Sequence, residues 1–223
     1  MQTGFGIRIY GKIISVNLKH HFRLPFLVAV SAAIVTPVLF NVNALTEIEA
    51  AKPIEFWLCL LGAILLVPVF SPEQDENVRD VICAKRFDYG RLCIMRVLYA
   101  FLTLVLLMAI CVGVMKLCES DVRIYHIIGG TSSALFLGAV GFTVAGMAGN
   151  AIAGYMASML YYLANYGLKE RLGLFFLFPM SHGEKSQNAG WLFAGALVLM
   201  ISTICLIKYR HQGVGLRIKY GDE

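Results

Sequence analysis

The chain has 223 residues, of which 58% are hydrophobic and only 15% charged, with a mean hydropathy of +0.71 and a formal net charge of +5. A soluble domain of this length carries nearer a quarter charged residues, so the composition excludes one and describes an integral membrane protein. The basic balance follows from membrane topology, argued below, and gives no case for nucleic acid as a partner.

Residues 3–24 are the first helix candidate. On a helical wheel Arg8, Lys12, Lys19 and Arg23 fall in one narrow stripe, with Ile7, Tyr10, Ile14 and Leu18 roughly opposite. Ile9 and Val16 interrupt the polar side. The pattern predicts an amphipathic helix lying in the cytoplasmic interface, its basic side toward the anionic headgroups of membrane lipids. A cleavable signal peptide would need a small-residue cleavage site, which Thr36, Pro37 and Val38 do not supply.

A bilayer-spanning helix takes about 20 apolar residues. The apolar blocks predict six spans, at about Leu24–Asn43, Ile54–Phe70, Leu92–Leu117, Tyr125–Met147, Asn150–Leu168 and Ala189–Lys208. The expected fold is therefore all-α and polytopic: a tail and interfacial helix (1–24), a six-span domain (25–208) and a C-terminal tail (209–223). Pro37 lies inside the first span and Pro68 ends the second, positions tolerated when neighbours satisfy the freed carbonyls. A first loop at about Ala44–Pro53 makes these two spans an antiparallel hairpin. The third is the longest and is expected to tilt, with Arg96 reaching to the inner surface and Lys116 to the outer.

From Tyr125 to Leu168 no Asp, Glu, Lys or Arg occurs. As one helix this run would be about 66 Å long, far beyond a hydrocarbon core of about 30 Å. It must fold back, and Gly146–Asn150 is the turn-like sequence near its middle. The alternative is one span plus a re-entrant piece. Small residues recur every fourth position at Gly141, Ala145, Gly149, Ala153 and Ala157, with a second row at Gly146, Gly154 and Ser158. That spacing lets helices approach closely, as packing within one subunit or as a dimer or moving interface. Between Lys169 and Asn188 the run Leu172–Phe178 is too short to cross a bilayer. It reads as a re-entrant or interfacial helix in the outer leaflet, or as a loop packed on the outer face.

Charge sets the orientation. With six spans, one side receives 13 Lys and Arg residues and the other six, while acidic residues divide seven to seven. The richer side is cytoplasmic by the positive-inside rule and holds both termini and the segment Ser71–Arg96. Cys83 and Cys93 fall on that reducing side, Cys59, Cys111 and Cys205 inside spans, and Cys118 outside. None has the spacing of a metal site.

The segment Ser71–Arg96 holds five Lys or Arg and five Asp or Glu residues. Ser71 and Pro72 read as the N-cap and first position of a helix. Glu73, Asp75 and Glu76 crowd its first turn, where the helix dipole favours negative charge. Val78, Val81 and Ile82 then form a short apolar stripe beside Arg79, Lys85 and Arg86. Such a helix is a solvated loop or a docking element for a cytoplasmic partner.

Catalytic signatures are missing. Gly183–Ser186 lacks the earlier glycine of an ATP-binding GxxxxGK[ST] loop, and HExxH and a nucleophile beside a base do not occur. His126 is a lone histidine near the outer end of the fourth span, read as packed or interfacial. Asn41, Thr103, Thr143, Asn165, Ser202 and Thr203 line a weakly polar path or bond between helices. No cofactor or metal is expected on this chain.

Taken together these features resemble the six-span permease subunits of type-2 ABC exporters. The likeness lies in the N-terminal amphipathic helix, the charged helix between the second and third spans, the tight fourth-to-fifth turn and the segment 169–188. Its most specific part is the acidic run Pro72–Asp80, followed by Lys85 and Arg96. The resemblance implies a stand-alone permease paired with a second permease subunit on two cytoplasmic ABC ATPase subunits, which hold ATP and Mg. It also implies an ATPase-docking surface of Glu73, Glu76, Val78, Arg79, Val81, Ile82, Lys85 and Arg86, and export of an amphiphilic peptide, lipid or drug from the plasma membrane. A non-transporting immunity or stress protein and a membrane enzyme acting on lipids are the alternatives. A channel fits less well, for want of a filter sequence.

Overall fold

The structure, a computed structural model, describes residues 22–73, 89–168, 171–183 and 188–220. Among these every regular element is helical. Five helical runs are long and apolar enough to cross a membrane: Arg23–Phe40, Glu47–Ser71, Leu92–Leu117, Ile124–Ala148 and Ala189–Tyr209. The chain is thus an all-α protein of membrane type.

Helix α1 spans Arg23–Phe40 and buries Ala29, Ala33 and Thr36, a seam at helical spacing. Leu27, Ile34 and Val38 on its other side are exposed, as suits a helix facing lipid. Pro37 has no N–H for the Ala33 carbonyl one turn back. The Cys111 thiol lies 3.8 Å from that oxygen. The neighbouring Ala32 carbonyl accepts from Thr36 Oγ1 and from Trp57 Nε1, each at 3.0 Å. Freed and half-freed carbonyls are therefore met by side chains from two other elements.

Asn41, left-handed at φ 42°, ends α1. The connection is shorter than the expected Ala44–Pro53, because Thr46 caps a new helix, α2 (Glu47–Lys52). Glu49 Oε2 accepts from the Thr46 amide at 3.1 Å and from its hydroxyl at 2.7 Å. Charges at Glu47, Glu49 and Lys52 belong to the first turns of a helix and not to a loop. Pro53 then widens the run into a π-turn, Pro53–Leu58, closed by Cys59 N to Ile54 O at 3.1 Å. Helix α3 (Leu60–Leu66) continues it, and a 3-10 turn, Val67–Glu73, ends it. Ser71 and Pro72 lie within this turn, so they extend the second span where the sequence suggested the start of a new helix. In a 3-10 ladder the Val69 carbonyl would face the nitrogen of Pro72, which has no hydrogen. Arg96 Nη1 donates to that carbonyl at 3.0 Å, so Arg96 turns onto the protein where a reach to the inner surface was expected.

Helix α4 (Tyr89–Leu117) leads to helix α5 (Ile124–Ala148), which packs on α3, α4, α6 (Ala151–Gly167) and α7 (Ala189–Tyr220) and forms the centre of the bundle. The charge-free run folds back where its turn signal lies. Gly149 takes a left-handed φ of 65° and Asn150 Oδ1 caps Ile152 N at 2.8 Å. Helix α6 has 17 residues, about 25 Å. Close approach depends on glycine at two contacts. A methyl on Gly62 would overlap the Ala134 carbonyl, and one on Gly154 would meet Gly141 O at 2.6 Å and Ala145 Cβ at 2.7 Å.

Candidate functional site

The connections 41–46, 118–123 and 171–183 meet at one end of the bundle, called here the loop end; the Gly149 turn marks the other, the turn end. The first two are stitched by Ala44 N to Cys118 O at 2.9 Å and Asp121 N to Leu45 O at 3.0 Å. Ser120 Oγ donates to Val42 O at 2.6 Å. Tyr125 donates its hydroxyl to the Glu47 carboxylate, and Arg123 lies 4.0 Å from the same group. His126, fully buried, accepts at Nδ1 from Arg123 N (3.1 Å). Its proton is therefore on Nε2, which lies 3.2 Å from Glu47 O. This histidine is a cap for the start of α5.

The third connection enters the bundle. Phe176, Leu177, Phe178 and Met180 are buried although their backbone is not α-helical. Buried N–H and C=O groups outside a helix need partners, and three elements provide them. Asn165 Oδ1, on α6, accepts from Leu177 N at 2.9 Å. Ser133 Oγ, on α5, donates to Leu177 O at 2.9 Å. Glu55, in the π-turn and fully buried, accepts from Met180 N with Oε1 and from Ser181 N with Oε2, each at 2.8 Å. Two amides converging on one carboxylate offset much of the cost of burying it. Ser133 lies nine residues into α5, about 14 Å from its start.

Next to this clasp is a cavity of about 380 Å³, bordered by Lys52, Phe56, Asn165, Tyr166, Phe178 and His182. Its rings touch: Phe56 and Phe178 centroids are 4.8 Å apart, Phe56 and Tyr166 5.2 Å, and Tyr166 and Phe178 5.5 Å. Tyr162 backs them and donates its hydroxyl to Phe56 O at 2.7 Å. Aromatic walls with Lys52 and His182 at the mouth suit an apolar or aromatic group that carries an acceptor or a negative end. Among the described residues no group of three His, Cys, Asp or Glu side chains is placed to hold a metal ion.

The residues singled out from sequence fall elsewhere. Glu76, Val78, Arg79, Val81, Ile82, Lys85 and Arg86 lie outside the described residues, and Glu73 is the last residue of the 3-10 turn. Arg8, Lys12 and Lys19 also lie outside them, while Arg23 opens α1. Gly141 and Ala145 meet Gly154 and Ser158 across the α5–α6 contact, so the two sequence rows face each other. Gly149 sits in the turn itself, and Ala153 and Ala157 are half-buried. Thr203 Oγ1 donates to Thr143 Oγ1 at 3.0 Å, and Asn165 is buried, whereas Asn41 and Ser202 are exposed.

Of the clasp, sequence reading picked out Asn165 alone. Glu55 was the readable clue: an acid directly after a proline at the head of an apolar run, where a helix has unpaired N–H groups of its own but the side chain here turns to another segment. No protein-family model, curated protein or solved structure matches the chain.

Proposed function

We propose that the chain is the permease subunit of an ATP-driven exporter of the type-2 ABC kind. In this reading it crosses the plasma membrane six times with both termini in the cytoplasm. It pairs with a second permease subunit, and cytoplasmic ATPase subunits carrying ATP and Mg drive it between inward- and outward-facing states. Its cargo is an amphiphile: a peptide, lipid or drug.

One observation carries the reading: the non-helical segment 171–183 is held inside the bundle by Glu55, Ser133 and Asn165. Irregular backbone at membrane depth is tolerated where protein buries it or where it lines a cavity. A re-entrant segment before the last span meets that condition, and the aromatic cavity beside it gives an apolar cargo a surface at the outer face. The sixth crossing rests on α6. At about 25 Å it is slightly short, but it starts at the Gly149 turn and its far end reaches the loop end. Tyr161 on α6 donates to Phe175 O at 2.7 Å there. The Lys and Arg asymmetry then places the loop end outside.

The test is purification of the full chain in mild detergent. An ATPase should co-elute with the native chain. The charge-reversed docking variant Glu76→Lys, Arg79→Glu, Val81→Asp should insert normally and lose it. Co-elution unchanged by the variant, or reporter fusions that place the Asp75 region outside the cell, would overturn the reading.

A further inference from the structure

We propose that the groove between α5 and α7 at the turn end is a binding site for an anionic phospholipid. The inference is independent of transport and stands on the groove's shape, lining and charge.

The groove has a volume of about 750 Å³ and is lined by Gly146, Met147, Ser202, Cys205, Leu206 and Tyr209. Its shape follows from the two helices. At Gly146 they close tightly: an added methyl would meet Ile207, Phe70 and Thr203, each at 2.9 Å. Helix α5 stops two residues later, at Ala148, whereas α7 continues to Tyr220. The wall past that point is one-sided and open, and Met147, Leu206 and Tyr209 on it are exposed. Ser202 spends its hydroxyl on Leu199 O at 2.9 Å in its own helix. The lining therefore offers a visitor hydrocarbon contact and little hydrogen bonding, which matches an acyl chain.

Charge selects the headgroup. Lys208 is exposed at the rim, and with Tyr209 it closes the apolar stretch Ala189–Tyr209, the level at which headgroups sit. Farther along, α7 carries Arg210, Arg217 and Lys219, and no Asp or Glu occurs from Ala189 to Gly221. These cations have no acidic neighbour in their own helix. The groove between α4 and α5 at the loop end makes the contrast. It has about 510 Å³ and its own cations, Lys116 and Arg123. There Arg123 lies 3.7 Å from Asp121 and 4.0 Å from Glu47, so its charge is already answered. An apolar slot that ends in unanswered positive charge at the interface is the arrangement that holds an anionic lipid.

The experiment is native mass spectrometry of the full chain released from nanodiscs of equimolar phosphatidylglycerol and phosphatidylcholine. The native chain should retain phosphatidylglycerol in preference. Lys208→Gln should lower that preference about fivefold, the worth of one interfacial cation. Ser202→Phe, which fills the groove, should lower retention of both lipids, and Lys116→Gln should change neither. Equal retention of the two lipids by the native chain overturns the proposal, as does a preference that Lys208→Gln leaves intact. Ser202→Phe dissociating a dimer with lipid retention unchanged would assign the groove to a second copy of the chain and overturn it too. If Ser202→Phe fails to fold, the Lys208→Gln comparison decides alone.

Discussion

The Oε2 atom of Glu55 accepts a hydrogen bond from the amide of Ser181 at 2.8 Å, across 126 residues of sequence. With Met180 N on its other oxygen, Glu55 ties the second helical run to the segment that precedes the last. Two spans and an irregular connection become one mechanical unit through a single side chain.

Glu55→Ala removes both acceptors and leaves two buried N–H groups without partners, at about 1–3 kcal/mol each. The expected result is a Tm in detergent several degrees below native, with the loss concentrated in the connection. Glu55→Gln keeps one carbonyl and places an NH2 against a donor, so it should lie between the two. Thermal unfolding of the three proteins checks the order, and an Ala variant as stable as the native chain would contradict the clasp.

Asn165→Leu and Ser133→Ala test the same segment from the other helices. Asn165→Leu strands Leu177 N and should cost about 1–3 kcal/mol. Ser133→Ala leaves a carbonyl short of one donor and should cost less, about 0.5–1.5 kcal/mol. The residues meet at one peptide, so the double variant should depart from additivity, measurable by unfolding all four members of the cycle.

Two glycines should respond in opposite senses to the same methyl group. Gly62→Ala drives a Cβ into the Ala134 backbone, which has no flexible tip to move aside. Overpacking of this kind costs about 1–3 kcal/mol. Gly113→Ala meets nothing within 4 Å and gains helix propensity of up to about 1 kcal/mol. Relative Tm values of the two single variants give the answer, and destabilisation by both would contradict it.

Gly149 and Asn150 set the fold-back between α5 and α6. Gly149→Ala places a side chain at φ 65°, at about 1–2 kcal/mol. Asn150→Ala removes the cap on Ile152 N, at about 1 kcal/mol. Neither touches the lipid-facing surface, so both should lower Tm while leaving insertion into membranes unchanged, as followed by carbonate extraction.

The long apolar runs were readable because lipid leaves a helix few choices: its exposed face must be hydrocarbon and its backbone must bond to itself. Leu92–Leu117 has the same limits read from sequence and from structure. The start of the second run was misplaced for a local reason. Glu47, Glu49 and Lys52 look like loop charges, yet Thr46 and Glu49 form a capping box that starts the helix beneath them. The bonds of Glu55 and Ser133 were not readable, since they join segments over 125 and 44 residues and no periodicity records such pairing. The row of small residues could be seen but not its partner, because Gly141 faces Gly154 only after the chain has reversed at Gly149.

The π-turn at Pro53–Leu58 has a consequence for length changes in this protein. It houses one surplus residue, absorbed as a local widening of the helix. Excising that residue would let ordinary pitch resume and swing everything before it, Glu47 included, by about 100° relative to Leu61. The Tyr125 hydroxyl would lose its carboxylate and the loop end its stitching. In this stretch a single-residue deletion acts as a rotation, and the register of six positions governs which way an entire helix tip points.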